Sequence, residues 1–183
     1  MTDARVTRTH QLVGDAVRVL LVAEGWDAVT HQRVAEHTGL GRNTVYRHFP
    51  DRTALLSHGG NFADAVHHAP VTGDVRVDLE AELRSFRREL FDGVVGTIIA
   101  AIVERADRDP EVLPIRDQLV EAGARQTAHL VQEGQRQGLI AANRDVADVV
   151  AALCGPLLYA RLCQGRPPSD AEIARIVDGQ LAT

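Results

Sequence analysis

The chain has 183 residues, of which 45% are hydrophobic, 25% are charged and 4% are aromatic, and its formal net charge is −5 at pH 7. This composition supports a globular core and excludes a long disordered chain, and no run of about 18 consecutive apolar residues predicts a membrane-spanning helix. The first twelve residues lack the apolar centre of a signal peptide, so we expect a cytoplasmic protein with no membrane partner.

The charge is distributed unevenly along the chain. Residues 1–60 hold seven Arg against six Asp and Glu, whereas residues 61–183 hold 13 Arg against 19 acidic residues. Attraction to phosphate depends on the docking surface and not on the total charge, so the acidic total does not exclude a nucleic-acid partner for the N-terminal segment.

Three helices are predicted at the N-terminus, of which the second and third are short. Apolar residues recur at three- and four-residue spacing over residues 10–24, which predicts the first helix. Thr30 is a good N-cap for a second helix, and Gly39 stands where a tight interhelical turn needs a positive φ. A third helix over roughly 42–48 ends before Pro50. Two short helices joined by a Gly-containing turn are typical of helix-turn-helix DNA-binding domains.

The segment THQRVAEHTGLGRNTVYRHFPDRTALL, residues 30–56, resembles the signature of the TetR family of one-component transcriptional regulators. It departs from the family pattern at Gly41, where a capping Ser is common, and at Arg52, which replaces the usual Lys but keeps the charge. The resemblance implies an all-α fold, with an N-terminal helix-turn-helix DNA-binding domain over residues 1–52. A C-terminal helical ligand-binding and dimerisation domain over residues 53–183 is implied as well.

The resemblance also implies which residues contact double-stranded operator DNA. Arg42 and Asn43 fall at the positions that recognise bases, and their side chains can pair with guanine and adenine in the major groove. Arg5 and Arg8 precede the predicted first helix, in either a DNA-binding arm or a solvated tail. The expected DNA-binding residues are His31, Gln32, Arg42, Asn43, Thr44, Tyr46, Arg47, His48 and Arg52.

Helical periodicity continues through the rest of the chain. Adjacent Gly59 and Gly60 weaken or kink a connecting helix after Asp51. A clean apolar stripe then indicates a helix over residues 79–90, followed by helices over roughly 94–103 and 115–137.

Residues 145–163 are apolar on nearly every side, so this helix must be covered on more than one side. Ser169 and Glu172 form a capping box for a last helix. Two such helices from each chain predict a four-helix bundle with a second copy, and hence a homodimer. The expected interface residues are Val149, Leu153, Leu157, Ile173, Ile176 and Val177.

The function implied by the resemblance is that of a regulator, most simply a repressor, released from a palindromic operator by a small apolar effector. Residues that could line the effector site, or could instead belong to the ordinary core, are Phe86, Phe91, Ile98, Ile102 and His129. The alternative is a helical ligand- or metal-binding protein that does not act on DNA.

No enzyme motif is present in the sequence. There is no G-x-G-x-x-G, P-loop, G-x-S-x-G or H-E-x-x-H pattern, so we expect neither catalysis nor a cofactor. Cys154 and Cys163 share one apolar segment and have no zinc-ligand spacing, which indicates core residues and no metal.

Overall fold

A computed structural model describes residues 4–59 and 67–181, and within these ranges the chain contains helices and no strand. The all-α fold class is therefore confirmed. Two short 3-10 turns, Trp26–Ala28 and Pro110–Val112, separate some of the helices. The helices are α1 (Ala4–Glu24), α2 (His31–Thr38), α3 (Arg42–His48), α4 (Arg52–Gly59), α5 (Val75–Phe91), α6 (Val95–Ala106), α7 (Leu113–Arg136), α8 (Val146–Tyr159) and α9 (Asp170–Asp178).

The described residues form two compact units. The first contains residues 4–59 together with 97–122, and the second contains residues 67–96 together with 123–181. These units do not coincide with the predicted division after residue 52, because α4 packs against α1 and joins the first unit. The division after residue 52 stays a prediction about function.

Helix α1 is longer than the predicted 10–24. It begins at Ala4, so Arg5 and Arg8 lie in its first turns and not in an arm or a tail. The sequence has neither Gly nor Pro between residues 4 and 13, and nothing there interrupts helical hydrogen bonding. Thr9 even donates its hydroxyl to the carbonyl of Arg5 at 2.9 Å, which adds a bond within this first part of the helix.

The core of the first unit includes apolar side chains from α1 to α4. Val13, Val34, Val45 and Leu55 are each 0% exposed, so all four helices contribute to it. Burial at this level is worth roughly 1.5–3 kcal/mol for each large aliphatic side chain. The orientation of α3, which presents the candidate DNA-binding residues, is therefore fixed by hydrophobic packing.

Gly59 is part of this packing. A Cβ on Gly59 would lie 2.2 Å from Cγ1 of Val17, so α4 approaches α1 more closely than any other residue would allow. The structure gives Gly59 a packing role, since this glycine allows close contact between two helices, and the weakening of the connecting helix by the glycine pair stays a prediction. Gly60 lies outside the described residues.

In the second unit, α5 carries an apolar stripe and, next to it, a buried polar row. Leu79 and Leu83 are fully buried, and Asp78 and Glu82 are buried as well. Burial raises the pKa of Asp78, but hydrogen bonds from the Thr72 hydroxyl and from backbone N–H groups outweigh this and lower it. Glu82 similarly accepts hydrogen bonds from the preceding segment, so α5 holds that segment in place through satisfied buried carboxylates.

Helix α8 contains Pro156 and continues as a π-helical segment, Ala160–Gln164. Together, residues 146–164 are long and apolar enough to cross a membrane by length and composition alone, a test that core helices of soluble proteins also pass. Asp148 and Arg161 interrupt the run. Only 28% of the apolar window is buried within the single chain.

Candidate DNA-binding surface

The turn between α2 and α3 is built as the sequence predicts. The Thr30 hydroxyl accepts a hydrogen bond from the Arg33 N–H at 3.2 Å and caps α2. Gly39 follows α2 with φ of 70°, in the left-handed region that a residue with a Cβ rarely adopts. Gly41 caps α3 without a side-chain bond. This tight connection holds α3 against α2.

Helix α3 has one buried and one exposed face. Val45 is 0% exposed and Phe49, which caps the helix, is 4% exposed. The exposed side carries two guanidinium groups, an amide and a phenol, the groups that bind phosphates and base edges in the major groove. Those residues are Arg42, Asn43, Tyr46 and Arg47, with Thr44 partly buried beside them.

Three of the predicted residues contact one another. The ring of Tyr46 stacks on the ring of His31, with centroids 3.9 Å apart and planes 4° from parallel. The Arg42 guanidinium lies over the Tyr46 ring, its Cζ 5.5 Å from the centroid. Arg42 Nη2 also lies 3.5 Å from the Tyr46 hydroxyl, at the outer limit of a hydrogen bond. His31 itself is buried, at 7% exposed.

Arg52 is turned toward the protein. Its Nε donates to the Val29 carbonyl at 2.9 Å, and its Nη2 donates to the carbonyl of Trp26. The guanidinium also lies over the Trp26 ring and 3.5 Å from Asp27. Its side chain is 35% exposed, so part of it remains accessible to a phosphate. The structure therefore assigns Arg52 a role in holding the loop after α1, beside the DNA contact that the sequence predicts.

Gln32 belongs to a polar network on the exposed side of α2. Its Nε2 donates to Glu36 Oε1 at 3.0 Å, and Arg33 bonds the other oxygen of Glu36 at 3.2 Å. These two hydrogen bonds lower the pKa of Glu36. Because Arg33 compensates the Glu36 carboxylate, this acid repels phosphate less than an isolated carboxylate at the same place.

His48, at the end of α3, belongs to a cluster of imidazoles. Its Nδ1 lies 3.4 Å from Nε2 of His10 on α1, and the ring of His58 on α4 is 5.0 Å from the ring of His10. His58 Nε2 donates to the His10 carbonyl at 2.8 Å. Burial, then the neighbouring His58 and His48, lower the pKa of His10. Within residues 4–59 and 67–181, no group of three or more His, Cys, Asp or Glu could hold a metal ion.

The predicted effector residues do not share one environment. Ile98 and Ile102 are buried in the first unit, whereas Phe86 and Phe91 are half-buried in the second. His129 is exposed on α7, because it lies on the side of that helix opposite the buried Thr127 and Leu130, and so it does not line the core of its unit. The effector site therefore remains a prediction.

The predicted dimer contacts need correction. Five of the six residues are 0% exposed in the single chain, so they form the core of the second unit and cannot contact a partner without unfolding it. Ile176 alone is partly accessible. The opposite face of α8 and of its π-helical continuation is open, with Tyr159 59% and Leu162 44% exposed. The buried five are Val149, Leu153, Leu157, Ile173 and Val177.

Sequence reasoning missed two features of these surfaces. One is the contact of Arg52 with Trp26 and Asp27, since nothing in the spacing indicates a contact across 26 residues. The other is which residues lie on the exposed face of α8, because a helix that is apolar all round gives no signal of which side faces its own core.

Comparisons with known proteins agree with this geometry over nearly the whole chain. Residues 69–179 match the family model described as tetracyclin repressor-like, C-terminal domain. Residues 15–58 match the model described as bacterial regulatory proteins, tetR family.

Individual relatives extend the same likeness. The chain is 27% identical over 184 residues to a DNA-binding transcriptional repressor TetR of Mycobacteroides abscessus, covering 96% of this chain and 92% of that protein. It is 24% identical over 172 residues to the HTH-type transcriptional regulator YdeS of Bacillus subtilis, covering 92% and 86%. Among solved structures, the TetR family transcription regulator SCO0332 is 28% identical, with a TM-score of 0.74 and coverage of 93% and 94%.

Proposed function

Since the chain belongs to the TetR family and is a helix-turn-helix transcriptional regulator, we propose that it is a cytoplasmic homodimer that represses transcription from a palindromic operator. The observation that carries the proposal is the exposed face of α3, where Arg42, Asn43, Tyr46 and Arg47 project from a helix anchored by buried Val45. The Mycobacteroides abscessus relative, named as a repressor, supports the sign of regulation.

Each residue of this face has a distinct proposed task. Arg42 and Asn43, at the start of α3, pair with base edges in the major groove. Thr44, Tyr46, Arg47 and His48 contact phosphates or neighbouring bases, together with Gln32 from α2.

Two copies are needed to bind two half-sites about one helical turn apart. The exposed apolar face of α8 and α9 supports dimerisation, with contacts through Pro156, Tyr159, Leu162 and Ile176. Pro156, Tyr159 and Ile176 also line one groove on the surface of the second unit. A partner that covers this face removes from water the apolar surface that a single chain leaves exposed.

Control by a small apolar effector is proposed to act through the segment of residues 97–122. This segment belongs to the same compact unit as α1 to α4. Arg105 of α6 lies 3.9 Å from Asp27, and the Thr53 hydroxyl lies 3.4 Å from Glu111. An effector that shifts this segment changes the population of the DNA-competent state, and a coupling of about 1–3 kcal/mol gives a 5- to 150-fold change in affinity.

The experiment that tests DNA binding measures the affinities of the Arg42→Ala and Arg47→Ala variants over a range of salt concentrations. The two duplexes are a palindrome selected from a random pool by the unmodified protein and a scrambled version of it. The unmodified protein should bind the palindrome more tightly, with an affinity that falls steeply with salt. The Arg42→Ala variant should lose most of its preference for the palindrome, whereas Arg47→Ala should lower the affinity for both duplexes by the same factor. Equal binding of both duplexes by the unmodified protein would contradict the proposal.

The alternative function, a helical ligand- or metal-binding protein that does not act on DNA, is not favoured. Such a protein would have no use for the exposed cationic face of α3.

A further inference from the structure

His31 begins α2, yet its ring is directed into the protein. Its side chain is buried, and its Nε2 lies 2.7 Å from the carbonyl oxygen of Phe49, the residue that caps α3. A carbonyl oxygen only accepts hydrogen bonds, so Nε2 carries the hydrogen and donates it. The His31 ring is therefore fixed at both ends, by the backbone of α2 and by the end of α3.

The face of this fixed ring supports Tyr46. The centroids of the two rings are 3.9 Å apart and the rings are almost parallel, and Tyr46 as a whole is 40% exposed. Arg42, one turn earlier on α3, lies over the same Tyr46 ring. A buried imidazole, a half-exposed phenol and an exposed guanidinium thus form one continuous set of contacts from the core to the surface.

We propose that His31 is a positioning residue for base recognition, which orients Tyr46 and, through it, Arg42, and that it does not itself bind phosphate. This inference rests on the proposed DNA-binding function. A side chain that is already ordered loses less conformational freedom on binding, so orienting Tyr46 and Arg42 in the free protein favours the specific complex. A long arginine side chain without this support would lose more conformational freedom when it binds a guanine.

Burial argues against a direct phosphate contact by His31. The ring is only 7% exposed, and its hydrogen-bearing Nε2 is already bonded inside the protein. A phosphate contact needs a donor that reaches the surface, which Arg42 and Arg47 offer and His31 does not.

The test compares His31→Ala with His31→Phe, using His37→Ala, an exposed histidine of the same helix, as the matched control. Phenylalanine keeps a flat ring that stacks on Tyr46 and loses only the bond to Phe49. His31→Ala should lower affinity for the palindromic duplex by roughly 3- to 10-fold, the range expected for one aromatic pair. Affinity for a scrambled duplex should change little, His31→Phe should keep most of the preference, and His37→Ala should change neither affinity.

A double-mutant cycle with Tyr46→Ala separates positioning from general loss of structure. If His31 acts through Tyr46, then His31→Ala has no further effect on the preference for the palindrome in the Tyr46→Ala background. Thermal unfolding of each variant measures its stability. A variant that binds less well only because it is less stable loses affinity for the palindromic and the scrambled duplex alike.

Two results would overturn the inference. One is an effect of His31→Ala that is the same with and without Tyr46. The other is an equal loss on both duplexes with a salt dependence reduced by about one phosphate contact, which would show that His31 binds phosphate directly. If the unmodified protein prefers no palindrome at all, the proposed function fails instead, and the two failures are distinguishable.

Discussion

Gly59 of α4 lies against Val17 of α1 so closely that a Cβ on Gly59 would come within 2.2 Å of Val17 Cγ1. Both residues are buried in the first unit. The glycine is therefore required by the distance between two helices, and α4 is held to α1 at its C-terminal end.

Gly59→Ala should destabilise the protein by about 1–3 kcal/mol, because the added methyl group overpacks the contact with Val17. Gly123→Ala is the matched control, since Gly123 lies inside α7 with nothing within 4 Å of a built Cβ. That change should be neutral or stabilise the helix by about 0.5–1 kcal/mol. Chemical denaturation of both variants checks the pair, and equal stabilities would refute the packing argument.

Arg52→Ala should lower stability as well as DNA affinity. The change removes hydrogen bonds to the Val29 and Trp26 carbonyls, each worth roughly 1 kcal/mol net, together with a surface charge. Arg47→Ala, at an exposed position of α3, should weaken DNA binding and leave the unfolding midpoint nearly unchanged. If Arg52→Ala leaves the midpoint unchanged too, the inward role of Arg52 is wrong.

Tyr159→Asp should shift the protein from dimer to monomer, because it places a charge in the exposed apolar face of α8 that we propose as the interface. Leu153→Ala, on the buried face of the same helix, should cost about 2–5 kcal/mol in stability but keep the dimer. Light scattering gives the mass of each variant. Two results would contradict this interface: an unmodified protein that is monomeric, or a Tyr159→Asp variant that forms a dimer as tightly as the unmodified protein.

Stability should fall on acidification through the ordinary titration range of histidine. The pKa of His10 is lowered in the folded state by burial and by His58 and His48. As the pH falls through about 6.5, the unfolded chain takes up a proton at this residue that the folded protein resists, so folding loses stability. The full contribution is present above that pH.

His10→Gln removes this titration, and the exposed His37→Gln serves as its control. Between about pH 7.5 and about pH 5.5, the loss of thermal stability should be smaller for His10→Gln than for the other two proteins. An identical loss in all three would show that the cluster does not resist protonation.

The sequence predicted the helical elements well and the partners of individual side chains poorly. Thr30 and Gly39 are placed correctly because capping and positive φ are local properties of a few residues. The inward direction of His31 and Arg52 depends on partners 18 and 26 residues away, Phe49 and Trp26, which no local pattern specifies.

The apolar residues of the C-terminal helices illustrate a second limit. Periodicity identified Leu157 as a member of an apolar face, but two such faces exist on α8, and only packing decides which one lies inside the chain. Similarly, Gly59 next to Gly60 resembles a flexible joint in the sequence, whereas its contact with Val17 is visible only in three dimensions.

The central claim, that two copies of α3 bind the two halves of one operator, is tested most directly by selecting tight-binding duplexes from a random pool with the unmodified protein. The account predicts recovery of one motif with two inverted half-sites, centred about one helical turn apart. Repeating the selection with Arg42→Ala should relax one position in each half-site and leave the spacing unchanged. Recovery of no shared motif, or of a motif without inverted symmetry, would contradict the account.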